Sequence, residues 1–154
     1  FNYEQIADAL YQYGAQGLKD VQQMARRLLV NILLANGDAH LKNWSLIYSE
    51  GLRPKLSPAY DIVSTLPYVT GELEFALNMA RNKNWYKVDM SSFEYWANRI
   101  GVPWQAVKVH LDETLILARE NWPNKLAELP MVDSQKDVLK KHWQNLQTDF
   151  RITS

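Results

Sequence analysis

Leu28-Leu29-Val30-Asn31-Ile32-Leu33-Leu34-Ala35-Asn36-Gly37-Asp38-Ala39-His40-Leu41-Lys42-Asn43 decides how this chain is read. Its first half is apolar nearly all round a helical wheel, the pattern of a helix driven into a core. Its second half is a polar loop, and Trp44-Ser45-Leu46-Ile47-Tyr48 then reads as a strand. A polar loop wedged between a buried helix and an apolar strand marks a site, because rigid elements on both sides can position its side chains.

Outward from this stretch the periodicity is mostly helical. Tyr3, Ile6, Leu10 and Tyr13 recur at helical spacing and stop at Gly14; Leu18, Val21, Ala25, Leu28, Leu29, Ile32 and Leu33 mark a second, longer face. After the loop, Ser49-Glu50-Gly51 reads as a turn between the strand at 44–48 and another at 52–56, giving a short β-hairpin. Residues 69–90 show no clear period, apart from a short extended piece at 75–79. Ser91-Ser92-Phe93-Glu94 resembles a capping box, with Ser91 as cap and Gly101 as stop. A helix is expected over 103–121, broken at Trp122-Pro123-Asn124. Val138, Leu139, His142, Trp143, Leu146 and Phe150 mark a last helix capped by Asp133 or Ser134. The fold class is mainly α, with one short hairpin after the loop.

The chain has 154 residues, 47% of them hydrophobic, which suits one compact domain over 1–154. Seventeen Lys plus Arg balance seventeen Asp plus Glu without forming blocks, which argues against an autonomous nucleic-acid binder. With no cysteine, disulfides, thiolate metal sites and thiol nucleophiles are excluded, as suits a reducing cytoplasm. No apolar run reaches the roughly 18–20 residues that span a bilayer, so no membrane partner is expected. The chain opens on Phe1 and is helical in pattern from Asn2, so a longer parent is expected.

Phosphoryl transfer needs a carboxylate to orient or deprotonate the attacking hydroxyl and oxygen ligands for Mg²⁺. Asp38 and Asn43 stand five residues apart, the spacing of a kinase catalytic loop, and Asp61 follows the hairpin where a second metal-binding carboxylate is wanted. One amide and one carboxylate suffice for Mg²⁺, which keeps water and substrate phosphates in its shell. The competing reading is that Asn36-Gly37-Asp38 is ordinary turn chemistry.

Two motifs together add a resemblance. Asn36-Gly37-Asp38-Ala39-His40-Leu41-Lys42-Asn43, followed after the hairpin by Leu56-Ser57-Pro58-Ala59-Tyr60-Asp61-Ile62-Val63-Ser64, resembles the HipA-like kinases. Those carry an Asp-x-His-x-x-Asn loop and then Leu-x-Pro-x-Tyr-Asp. The resemblance implies a protein-kinase-like C-terminal lobe using ATP and Mg²⁺ to phosphorylate a Ser or Thr hydroxyl on a protein. It makes Asp38 the catalytic base and Asn43 and Asp61 the Mg²⁺ ligands, with His40, Lys42 and Tyr60 beside the nucleotide. It also implies a cytoplasmic toxin–antitoxin setting: a helix-turn-helix antitoxin as partner, DNA reached only through that antitoxin, and an aminoacyl-tRNA synthetase as substrate. No Gly-rich phosphate loop, no strand lysine and no partner glutamate for it precede Asp38, so the nucleotide-clamping N-lobe is expected elsewhere in the parent or on another polypeptide, and kinase activity is not expected of this piece alone. Two other classes stay open: a non-catalytic kinase-like binding module, and a lipid or small-molecule kinase lobe, for which a basic membrane-facing patch would be wanted.

Other residues invite functional readings. His110 and His142 lie on apolar faces without metal-ligand spacing and read as packing. Trp85-Tyr86 with Lys83 and Lys87 could stack on bases, although a loop packing its aromatics is the plainer reading. Most of the six tryptophans fall on helix stripes and read as core.

Overall fold

The structure is a computed structural model and describes residues 2–37, 44–48, 53–58 and 74–153. Helix α1 (Tyr3–Tyr13) opens on a reciprocal cap: Asn2 Oδ1 accepts the Gln5 N–H at 2.9 Å and Gln5 Oε1 accepts the Asn2 N–H at 3.0 Å. Its inner face buries Tyr3, Ala7 and Leu10, whereas Tyr13 points to solvent. Gly14 ends it where a Cβ would stand 2.4 Å from the Leu10 carbonyl oxygen, so no other residue closes the turn this tightly.

Helix α2 (Gly17–Leu34) is the spine of the fold. Val21, Met24, Ala25, Leu28, Leu29, Ile32 and Leu33 have no exposed surface, and burying each larger side chain contributes about 1.5–3 kcal/mol. Leu18, read as part of that face, is exposed at its start. Strands β1 (Leu46–Ile47) and β2 (Lys55–Leu56) pair antiparallel, Leu46 opposite Leu56, which is the hairpin expected after the loop. Its turn lies outside the described residues.

The extended piece at 75–79 belongs to β3 (Glu74–Met79), which pairs antiparallel with β4 (Asn82–Asn84) around Ala80-Arg81. Trp85–Lys87 then form a single 3-10 turn in which Trp85 is fully buried, so that ring is core and not a stacking platform.

Helix α3 (Met90–Ile100) is capped by Asp89, not by Ser91. The carboxylate outcompetes the hydroxyl because one ionised oxygen serves several donors: Asp89 Oδ1 takes the Ser92 N–H at 3.0 Å and the Ser91 hydroxyl at 2.6 Å. Those bonds, the Ser91 one foremost, hold the Asp89 carboxyl below its ordinary range. Gly101 ends α3 in the left-handed region at φ 84°.

Helix α4 (Trp104–Glu128) runs past the expected break and carries Pro123 in its interior. An interior proline costs roughly 3 kcal/mol. The added turns offset that by burying Leu126 and setting the Trp122 ring 6.5 Å from Trp143. Helix α5 (Asp133–Asn145) has Val132 at its cap with no side-chain bond, and Asp133 lies in its first turn instead. Here it favours the positive end of the helix dipole. Among the described residues, no helix is long and apolar enough to cross a membrane.

Candidate active site

Asp38, His40, Lys42, Asn43, Tyr60 and Asp61 all lie outside the described residues. What the structure shows is the frame that holds the chain on either side of them. The frame is built almost entirely on α2.

The entry to the loop is tied twice. Past Leu34 the backbone turns at Ala35 into the left-handed region, φ 53° and ψ 49°. Ala35 N–H bonds the Ile32 carbonyl at 3.2 Å and Asn36 N–H the Asn31 carbonyl at 2.8 Å, the paired bonds of a Schellman closure. That closure usually takes glycine; an alanine there costs roughly 1–2 kcal/mol. The side chains repeat the tie: Asn36 Nδ2 donates to Asn31 Oδ1 at 3.1 Å, both residues buried. Asn31, a polar residue inside the apolar run, thus sets where Asn36 and Gly37 leave the helix.

Helix α5 fastens the same end of α2 from outside. His142 Nε2 lies 2.6 Å from the Ile32 carbonyl and Trp143 Nε1 donates to the Leu33 carbonyl at 2.8 Å. A carbonyl only accepts, so His142 carries its proton on Nε2, and its Nδ1 accepts from the Tyr86 hydroxyl at 2.7 Å. Burial holds the His142 ring down to about 4 against the pull of that carbonyl, and burial raises Tyr86. The latch is therefore uncharged at neutral pH.

The loop exit and the second motif are held by two charged residues a double turn apart on α2. Asp20 Oδ2, nearly buried, accepts the Leu56 N–H at 2.9 Å. Arg27 Nη2 donates to the Ser57 carbonyl, and its Cζ lies 5.9 Å from the centre of the Trp44 ring. Trp44 in turn stands 5.9 Å from Tyr3 of α1. Ser57 N–H bonds the Ser45 carbonyl at 2.8 Å, extending the hairpin by one rung. Arg27 therefore touches both the residue after Asn43 and the residue four before Asp61.

Sequence reasoning missed Asp20, Arg27, Asn31 and Trp143 as members of this frame. Asn31 carried a readable signal, an amide amid buried aliphatics, while the partners of the others are distant in sequence. His142 was read as packing, and the structure bears that out with named partners. His110 accepts the Arg26 Nε–H at Nδ1, 2.8 Å away, and is held below its ordinary value by burial and then by Arg26. Among the described residues no cluster of His, Asp and Glu could hold a metal.

A mainly helical lobe in which one buried helix ties the chain at Asn36 and again at Trp44 and Ser57 is the class these elements define. The chain belongs to the HipA-like C-terminal domain family, whose model matches residues 1–122. It is 38% identical over 123 residues to "Putative kinase Y4dM" of Sinorhizobium fredii, covering 80% of this chain and 30% of that protein. It is 43% identical over 67 residues to a Haemophilus influenzae protein named "Putative kinase", covering 44% of this chain and 20% of that one. Its fold is similar to HipA of Shewanella oneidensis MR-1, solved with HipB and operator DNA. The TM-score there is 0.74 at 18% identity, over 94% of this chain and 34% of that one. The chain spans about a third or less of the length of each of these relatives.

Proposed function

We propose that this chain supplies the catalytic-loop half of an ATP- and Mg²⁺-dependent kinase that phosphorylates a Ser or Thr hydroxyl on a protein. The observation that carries the reading is the shared anchoring on α2. Asn31 holds the segment that leads into Asp38, and Arg27 holds both Trp44 after Asn43 and Ser57 ahead of Asp61. Catalysis of phosphoryl transfer is mostly positioning, and one rigid helix tying the flanks of both motifs supports that use.

In this reading Asp38 orients the attacking hydroxyl and accepts its proton. Asn43 and Asp61 offer the hard oxygen donors that Mg²⁺ prefers, while His40, Lys42 and Tyr60 line the nucleotide. When bound, Mg²⁺ neutralises phosphate charge. The N-lobe that clamps the phosphates belongs to the rest of the parent protein. The relatives' kinase names and the HipB-bound, DNA-bound state of the Shewanella protein favour a cytoplasmic toxin. Its partner would be a helix-turn-helix antitoxin that contacts DNA in its stead, and its substrate would be a protein such as an aminoacyl-tRNA synthetase.

The test is γ-phosphoryl transfer to protein by the full-length parent, with Asp38→Asn beside it. Loss of at least about a hundredfold in the variant, with the fold retained, is expected for removal of a general base. Full activity in Asp38→Asn would remove Asp38 from that role, and no transfer by the parent would leave the lobe a binding module.

A further inference from the structure

We propose that the cleft between α1, the β3–β4 turn and α3 is an oxyanion site that takes a phosphate monoester. None of its lining residues belongs to the two motifs discussed above. It has a volume of about 430 Å³ and is walled by Glu4 and Asp8 of α1 on one side and Arg81, Tyr95 and Arg99 on the other, with Asn2 and Asn78 at the end.

The backbone is shaped to deliver Arg81 there. Ala80 and Arg81 form the whole turn between β3 and β4, and both sit in the left-handed region, at φ 48° and φ 64°. Two-residue hairpins of that hand favour Asn-Gly because a Cβ is strained at both positions, yet neither residue here is a glycine or asparagine. Glu4 Oε1 accepts the Ala80 N–H and holds the turn against α1. The Arg81 guanidinium then lies over the Tyr95 ring, 5.5 Å from its centre, and stacking leaves the N–H edges of an arginine free to donate. Arg99 follows Tyr95 by one helical turn and so projects from the same face of α3.

Arg81 and Arg99 both line the cleft, and neither is in an ion pair among the described residues. The ion pairs among the described residues are Arg26–Glu113 and Lys108–Asp112. Glu4 is engaged by Ala80, and Asp8 accepts Gln12 Nε2 at 2.7 Å. Two planar five-donor groups lining one cleft match the paired oxygens of a phosphoryl group, and the cleft is roomier than inorganic phosphate needs. The two carboxylates on the α1 wall suit a ligand that also carries an ammonium or hydroxyl donor. O-phosphoserine has this combination.

The experiment follows the arginine Nε–H signals of the 15N-labelled chain during titration with O-phosphoserine, inorganic phosphate and acetate. Saturable shifts of Arg81 and Arg99 with O-phosphoserine, weakened about tenfold or more in Arg81→Gln and in Arg99→Gln and only partly in Arg81→Lys, are expected. Equal affinity for inorganic phosphate would support the oxyanion site and name free phosphate as its source; tighter O-phosphoserine binding would name the ester. No saturation by either phosphate in the millimolar range, equal response to acetate, or unchanged affinity in the Arg81→Gln/Arg99→Gln double variant would overturn the proposal.

Discussion

His142 of the last helix lies with its Nε2 2.6 Å from the carbonyl oxygen of Ile32, 110 residues earlier and six residues before Asp38. The C-terminal helix is thereby part of the loop's support, although the family match ends at residue 122. Removing the ring leaves the Ile32 carbonyl and the Tyr86 hydroxyl short of a partner in a buried place. His142→Ala should destabilise the chain by about 2–4 kcal/mol, and Trp143→Phe, which keeps most of the ring and loses the N–H, by about 1–3 kcal/mol. Urea unfolding followed by circular dichroism measures both; a loss under about 0.5 kcal/mol in each, the range of ordinary surface substitutions, would contradict the latch.

Stability should fall on acidification from neutrality. The His142 ring is held down to about 4 from an ordinary 6.5. Between those values the unfolded chain binds a proton that the folded chain refuses, so lowering the pH favours unfolding. The loss begins near pH 6.5 and grows toward pH 4, to on the order of 3 kcal/mol. His110, also held low, acts in the same direction. Urea midpoints measured between about pH 7.5 and 4.5 should show a flatter dependence in His142→Gln than in the parent sequence; equal slopes would locate the effect elsewhere.

Asp20→Ala should loosen the hairpin's hold on α2, leaving the Arg27 ties to Ser57 and Trp44 in place. The Leu56 N–H loses its buried acceptor, at about 1–3 kcal/mol, and its hydrogen exchange should quicken well beyond that of Met24 in the helix core. Asp20→Asn keeps an acceptor oxygen and should cost less.

Arg27→Lys keeps the charge but loses the planar fork that reaches Ser57 and lies over Trp44. In the full-length parent, phosphoryl transfer should drop by about tenfold or more, since small misplacements are costly to positioning. The melting temperature should move by only a few degrees.

Pro123→Ala should stabilise the chain. Proline has no N–H for the Arg119 carbonyl within α4, and alanine restores that bond at a gain of about 1–3 kcal/mol, read as a higher urea midpoint.

The long elements were legible because their burial has a period. Val21 to Leu33 on α2, and Phe93, Trp96 and Ile100 on α3, are buried where spacing put them. Ends were harder: Asp89 displaced Ser91 because an ionised cap gathers three donors, and α4 outran Pro123 because Leu126 and Trp122 find partners only in the folded chain. The two motifs were legible as spacing and as resemblance. Their frame was not, since Asp20 with Leu56, Arg27 with Trp44 and Ser57, and His142 with Ile32 are pairings made by tertiary structure. Strand β4 escaped notice because Asn82-Lys83-Asn84 carries no apolar alternation.

The central claim is that α2 presents Asn43 and Asp61 to one Mg²⁺ beside ATP. The most direct measurement is a crystal structure of the full-length parent with Mg²⁺ and a non-hydrolysable ATP analogue. The account predicts a single ion within roughly 2.0–2.1 Å of both Asn43 Oδ1 and an Asp61 carboxylate oxygen, with Asp38 facing the terminal phosphate. Nucleotide bound with those two side chains pointing apart and no shared metal would contradict it.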